Sequence, residues 1–157
     1  MDAQRNKDVV EQFEEMVCSG DSGQLDELCT PDMVNHSLAP GRPSGIEGTR
    51  QLLNEVRFSG RAGRWLHSRV VAENDMVIQF GVREAEWAGS SFRGFSTPSG
   101  HYTADAAFVY RLVDGRIAER WAVRDDLAMM IQLGALTPSA AVGQRCDGSE
   151  SRDVHYG

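Results

Sequence analysis

Lysine is nearly missing from this chain: Lys7 stands alone, and arginine carries the rest of the positive charge. Sixteen basic residues face 23 acidic ones, a formal net charge of -7. No basic stripe is left to neutralise phosphates, which excludes a nucleic-acid partner. Cysteine is sparse and odd in number. Cys18, Cys29 and Cys146 have no C-x-x-C spacing, so neither a disulfide framework nor a zinc ribbon is expected. His36, His67, His101 and His155 are scattered without an H-x-x-x-H pair, so no metal site is expected either. Phosphate loops, dinucleotide fingerprints and serine-nucleophile motifs are absent from the sequence, and no cofactor is expected. No apolar run approaches the ~20 residues of a membrane helix, and the first residues lack the apolar core of a signal peptide. The expectation is therefore a cytoplasmic protein without a membrane partner.

What is present suits one globular domain, since 41% of 157 residues are hydrophobic and can build a real core. Val9/Val10, Phe13 and Met16/Val17 recur at helical spacing and predict an amphipathic helix over residues 4–18, stopped near Gly20. Asp21 and Gln24 form a capping pair for a short helix through Leu25 and Leu28, closed by Pro31. "VNHSLAPGRPSG" is expected to be loop. Ser44 and Glu47 have capping-box spacing for a third helix carrying Ile46, Leu52/Leu53 and Val56. By this reading three helices precede any strand.

Past Gly63 the period falls to two. "WLHSRVVA" and "MVIQFGVREAEW" read as strands joined by "END", while "HYTADAAFVYRLV" and "RIAERWAV" pair across the Asp114-Gly115 hairpin turn. "GSSFRGFSTPSG" is a long loop or a short strand. Residues 126–133 return to helical spacing and stop at Gly134. Residues 1–136 thus form one domain, and 137–157, without apolar periodicity, are expected to be a disordered tail. Helices followed by a long antiparallel meander make an α+β fold in which a curved sheet wraps the N-terminal helices into a cone. By alternation Tyr102, Ala104, Ala106, Phe108, Tyr110 and Leu112 share the face toward the helices. That face is either a pocket or a core.

The order "PDMVNHS", "GFSTPSGHY", then "YRLVDGRIAERW" followed by an aspartate and "QLG", resembles the SnoaL-like polyketide cyclases of the nuclear transport factor two-like superfamily, over roughly residues 5–136. The resemblance implies a cone-shaped α+β barrel with a deep apolar cavity, homodimers through the outer sheet face, and cofactor-free acid-base chemistry on polycyclic ketones. It also puts Ala122 where ring-closing members carry a cavity aspartate, Phe108 where they carry a histidine and Ala106 where they carry a glutamine. Their three-residue machinery is not carried over.

Chemistry must then come from elsewhere. The resemblance places Asn35 and His36 near the cavity floor, to hold a carbonyl or shuttle a proton, although both could equally satisfy loop backbone groups. Trp65, His67 and Arg69 share one face of their strand, either cavity-facing or outward. Arg120 lies on the face of Ala122 and offers a guanidinium to an enolate or carboxylate; its bland alternative is an ion pair with Glu84 or Glu86. Tyr102 and Tyr110 could donate to a ring oxygen or simply pack. Asp125 suits a helix N-cap, and Glu119 and Trp121 fall on the outer face, where Trp121 would bury in a homodimer.

His36, His67 and Arg120 are therefore the catalytic candidates, with Asn35, Trp65, Tyr102, Phe108, Tyr110 and Ala122 as the substrate-contacting set. The function expected is ring formation by acid-base catalysis, as a cyclase or isomerase of bacterial secondary metabolism acting on a hydrophobic, polyketide-like small molecule. Two alternatives stand beside it: a cofactor-independent hydroxylase, and a catalytically silent binder of hydrophobic ligands.

Overall fold

The computed structural model describes residues 2–59 and 63–139. Helix α1 (Ala3–Ser19) is opened by Asp2, whose carboxylate accepts the Gln4 and Arg5 N–H groups, and closed by Gly20 in the left-handed conformation. Val10, Phe13 and Met16 are buried along one side. Helix α2 (Leu25–Leu28) runs directly into strand β1 (Cys29–Asn35), and α3 (Ile46–Ser59) follows. Four long strands complete the sheet: β2 (Gly63–Glu73), β3 (Met76–Trp87), β6 (Gly100–Val113) and β7 (Arg116–Arg124). Between β3 and β6 the Gly/Ser-rich segment forms a small separate hairpin of β4 (Ser90–Phe92) and β5 (Phe95–Thr97), turned through Arg93 and Gly94 at φ 49° and 87°. Asp114 and Gly115 are likewise both at positive φ, which matches the right-handed twist of the β6–β7 hairpin.

The five-stranded sheet has the order β1-β7-β6-β3-β2. All neighbours are antiparallel except β1, which runs parallel to β7. β1 corrects the expectation of a loop after α2 and of a purely antiparallel meander. Pro31 lacks an amide hydrogen and is tolerated because β1 is an edge strand, where the register with β7 shifts between Cys29 and Val34. The sheet is curved and not closed. α1 lies across it, packing on β2, β3 and β7, with α3 beside α1. Their apolar stripes meet Val77, Phe108, Tyr110, Leu112 and Ile117 of the inner sheet face in one core cluster.

That packing decides the question of pocket or core for half of the face. Phe108 and Tyr110, expected to line a deep apolar cavity, are buried within the core, whereas Tyr102, Ala104 and Ala122 toward the other end are only half-buried. Helix α4 (Asp126–Gln132) packs on β6 there. Asp125 caps it by accepting the Ala128 N–H at 2.9 Å. Where β7 ends, Gln132 continues its pairing role: its amide accepts from the Thr103 N–H at 3.0 Å and donates to the Thr103 carbonyl at 2.7 Å. The expected tail over 137–157 lies, from residue 140 onward, outside the described residues. Among the described residues no helix is long and apolar enough to cross a membrane.

Candidate functional site

Glu14 sits where an apolar residue is expected. It follows Val10 by four positions and precedes Val17 by three, which puts it on the buried stripe of α1, and it is 1% exposed. A carboxylate can be buried there only with partners. Tyr110 from β6 donates its hydroxyl proton to Oε1 in a short hydrogen bond, and Arg120 from β7 donates through Nη2 to the same oxygen at 3.3 Å. Arg120 Nε also donates to the Tyr110 hydroxyl at 3.3 Å, closing a triangle of three side chains. The cross-strand pair Tyr110–Arg120 fixes two of its corners.

Burial, reinforced by the Glu14 charge, pushes the Tyr110 phenol well above its usual pKa and keeps it protonated. Burial alone would lower the Arg120 pKa. The Tyr110 oxygen and the Glu14 carboxylate beside it outweigh that effect and move the pKa up. The Arg120 guanidinium also lies 4.5 Å from the Phe108 ring centroid, a cation–π contact inside the core. Among the described residues Glu14 Oε2 has no hydrogen-bond partner, and neither has Gln79 Oε1 on the same inner face. Gln79 donates to Ser68 Oγ at 3.1 Å.

A second cation faces inward from β3. The Arg83 guanidinium lies 5.3 Å from the Trp65 ring and 5.2 Å from the Phe108 ring, and its Nη2 donates to Cys18 Sγ at 3.3 Å. Burial raises the Cys18 pKa despite the Arg83 charge beside it, so the sulfur is a neutral acceptor.

The sequence candidates divide between the two faces of the sheet. Arg120, Tyr110, Phe108 and Ala122 share the inner face, with Ala122 opposite Phe108 and Arg120 opposite Tyr110. Tyr102, opposite Ala85, is half-buried further along the same side of β6. Arg120 pairs with Glu14 rather than with Glu84 or Glu86. Asn35 is buried, donates to Thr49 Oγ1 at 3.1 Å and accepts the Ser37 N–H at 3.1 Å, so its side chain ties β1 to α3.

His36 does not join Asn35 at a cavity floor. Because both lie at the end of a strand, alternation turns them to opposite sides. His36 stacks on Trp121 on the outer face, centroids 4.8 Å apart, and its Nε2 is 3.0 Å from Glu119 Oε2. That contact, joined by Arg111, holds the Glu119 carboxyl below its usual pKa.

Nor do Trp65, His67 and Arg69 share a face. Trp65 is opposite Arg83 but His67 is opposite Val82, so β2 carries one extra residue between them. This bulge reverses the alternation. Trp65 therefore points inward, its ring edge-to-face with Phe108 at 5.7 Å, while His67 and Arg69 point out. The His67 carbonyl occupies the place that a Cβ on Gly81 would take, so the bulge needs glycine on the neighbouring strand.

His67 and Arg69 line an open groove of about 1110 Å³ on the outer face with Phe80, Val82, Asp105 and Val123. Phe80 and Val123 of that face are 41% and 68% exposed.

Sequence reasoning missed Glu14, Gln79 and Arg83. Only Glu14 had a signal, a charged residue at i, i+4 and i+7 register with Val10 and Val17. The other two follow from the strand register, which the bulge obscures.

The SnoaL-like polyketide cyclase family profile matches residues 7–133. No curated protein matches the chain by sequence. Among solved structures, TsrD from Streptomyces laurentii is similar with a TM-score of 0.71 and 22% identity, over 87% of this chain and 99% of that one. IdmH from Streptomyces antibioticus, a candidate polyketide cyclase, is similar with a TM-score of 0.65 and 25% identity, over 82% and 98%. AclR from Streptomyces galilaeus, a candidate hydroxylase, gives a TM-score of 0.61 and 21% identity, over 87% and 100%.

Proposed function

This chain belongs to the SnoaL-like polyketide cyclase family, and from that premise we propose that it is a cofactor-free enzyme of bacterial secondary metabolism that forms a ring in a hydrophobic, polyketide-like substrate, by acid-base chemistry on the inner face of the sheet. The observation that carries this reading is the buried carboxylate of Glu14, with one oxygen held by Tyr110 and Arg120 and the other without a partner among the described residues. Ring closure needs a base for an acidic C–H proton and a donor for the enolate oxygen that develops. Glu14 Oε2 supplies the base. Arg120 spends one N–H on Glu14 and one on Tyr110, and its remaining donors supply the electrophilic side. His36 and His67 face away from this cluster and take no part in it. The substrate ring would lie over Ala122 and Ala106, the small side chains beside Phe108 on this face.

The outer face belongs to assembly. Phe80, Val123 and the Trp121–His36 stack offer an apolar surface that the helices cannot reach, and two copies would bury it against each other as a homodimer.

Mass spectrometry of a strain lacking the gene tests the reaction. An uncyclised precursor should accumulate and the wild-type gene should remove it, while a folded Glu14→Gln variant should turn over about 10²- to 10⁴-fold more slowly. Unchanged metabolites would indicate silent binding. A precursor lacking one oxygen, with turnover that requires O2, would indicate hydroxylation.

A further inference from the structure

Arg83 has no carboxylate partner among the described residues, although it faces the interior. Its ion-pairing neighbour Glu84 points the other way and is taken by Arg64 and His101. Glu14, the buried acid of this face, is taken by Arg120. The remaining contacts of Arg83 are two aromatic rings and a neutral thiol, none of which cancels a charge. Its Nε is buried with no acceptor among the described residues, and so is the indole Nε1 of Trp65, the ring against which the guanidinium lies. Two adjacent donors without acceptors are costly in a folded protein, and each costs ~1–3 kcal/mol by the usual measure. Opposite Phe108 and beyond it the orphans are acceptors instead, Gln79 Oε1 and Glu14 Oε2. The inner face is thus polarised along its length. Gly63 adds room, since a Cβ there would come within 3.4 Å of Arg83 Nη2.

We propose that Arg83 and Trp65 form an anion subsite, and that the substrate carries an acidic group, a carboxylate or an ionised phenol or enol, on the part of the ring system remote from the carbon that Glu14 deprotonates. The aromatic faces of Trp65 and Phe108 hold the adjoining ring, and the guanidinium with the indole N–H receives the anion. This inference rests on the reading of the inner face as the substrate site, and it narrows that reading to acidic polycyclic substrates.

Binding can be measured without turnover. In calorimetric titrations 2-naphthoate should bind the wild-type protein at least about tenfold more tightly than 2-naphthamide, the same ring without the charge. Arg83→Gln should bring the two affinities together, Arg83→Lys should retain most of the preference, and Arg69→Gln, in the outer groove, should leave it intact. As a check that needs no Arg83 variant, the Trp65 indole N–H resonance, assigned through Trp65→Phe, should shift with naphthoate and much less with naphthamide. Equal affinities, no binding of either probe at millimolar concentration, or a preference lost with Arg69→Gln but kept with Arg83→Gln would overturn the subsite. Glu14→Gln should keep the naphthoate preference. If that variant also kept full turnover, the acid-base reading would fall while the subsite stood.

Discussion

Replacing Arg120 by methionine should be among the most damaging single changes in this protein. The Arg120 side chain is 5% exposed and the Glu14 side chain 1%, at 3.3 Å, so solvent screens the pair very little. Methionine keeps the length of the side chain and its contact with Phe108 but removes the cation. Glu14 is then left buried with Tyr110 as its sole donor among the described residues. Breaking one partner of such a pair costs about 3–5 kcal/mol. In a domain of this size that corresponds to roughly 6–20 °C in Tm. Glu14→Leu should cost a similar amount by stranding the cation.

The informative variant is the double one. Glu14→Leu/Arg120→Met removes both charges together and leaves chiefly the Tyr110 hydroxyl without its acceptor, a loss of about 1–3 kcal/mol. The double variant should therefore be more stable than either single one. Urea denaturation followed by circular dichroism, at fixed protein concentration and with matching slopes, measures all four corners of this cycle. Single variants costing less than about 1 kcal/mol, or a double variant costing the sum of the two, would refute the idea that these side chains balance each other's burial.

Light scattering should show a dimer at micromolar concentration, and Val123→Arg, on the exposed outer face, should give a folded monomer; a wild-type monomer would remove the proposed interface. Burial pushes the Cys29 thiol up to about 12 from an ordinary value of 9.0, so above pH 9 the unfolded chain sheds its proton first and the native state loses stability as pH rises toward 12. Cys29→Ala lacks this loss, and its stability relative to wild type should improve by about 1 kcal/mol between pH 8 and pH 10 in urea melts; an unchanged difference would contradict the burial. Gly81→Ala should cost about 1–3 kcal/mol, because the new methyl meets the His67 carbonyl at the bulge; a melting temperature within a degree of wild type would show that the bulge can relax.

Local pattern was enough for the elements whose partners lie next to them in the chain. The apolar spacing of Val10, Phe13 and Val17 determined α1, the two-residue alternation determined β3 and β6, and Asp114-Gly115 determined the β6–β7 hairpin, because each of these is specified within a few residues. The same alternation placed Arg120, Tyr110, Phe108 and Ala122 together, since a strand turns alternate side chains to one face wherever it sits. Strand β1 was not legible. Cys29–Asn35 contains Pro31 and shows no alternation of its own, and it becomes a strand only because β7, some 85 residues later, offers a parallel edge to Val34 and Asn35. That distant pairing also separated His36 from Asn35. The extra residue in β2 is a second case, since nothing local marks it, yet it sends Trp65 inward and His67 outward. Glu14 is the third. Its position on the apolar stripe was visible in the sequence, but what makes a buried carboxylate tolerable there is a tyrosine 96 residues away and an arginine 106 residues away. Burial and its compensation are properties of the packed chain, because neither partner can be identified before the sheet has brought β6 and β7 under α1.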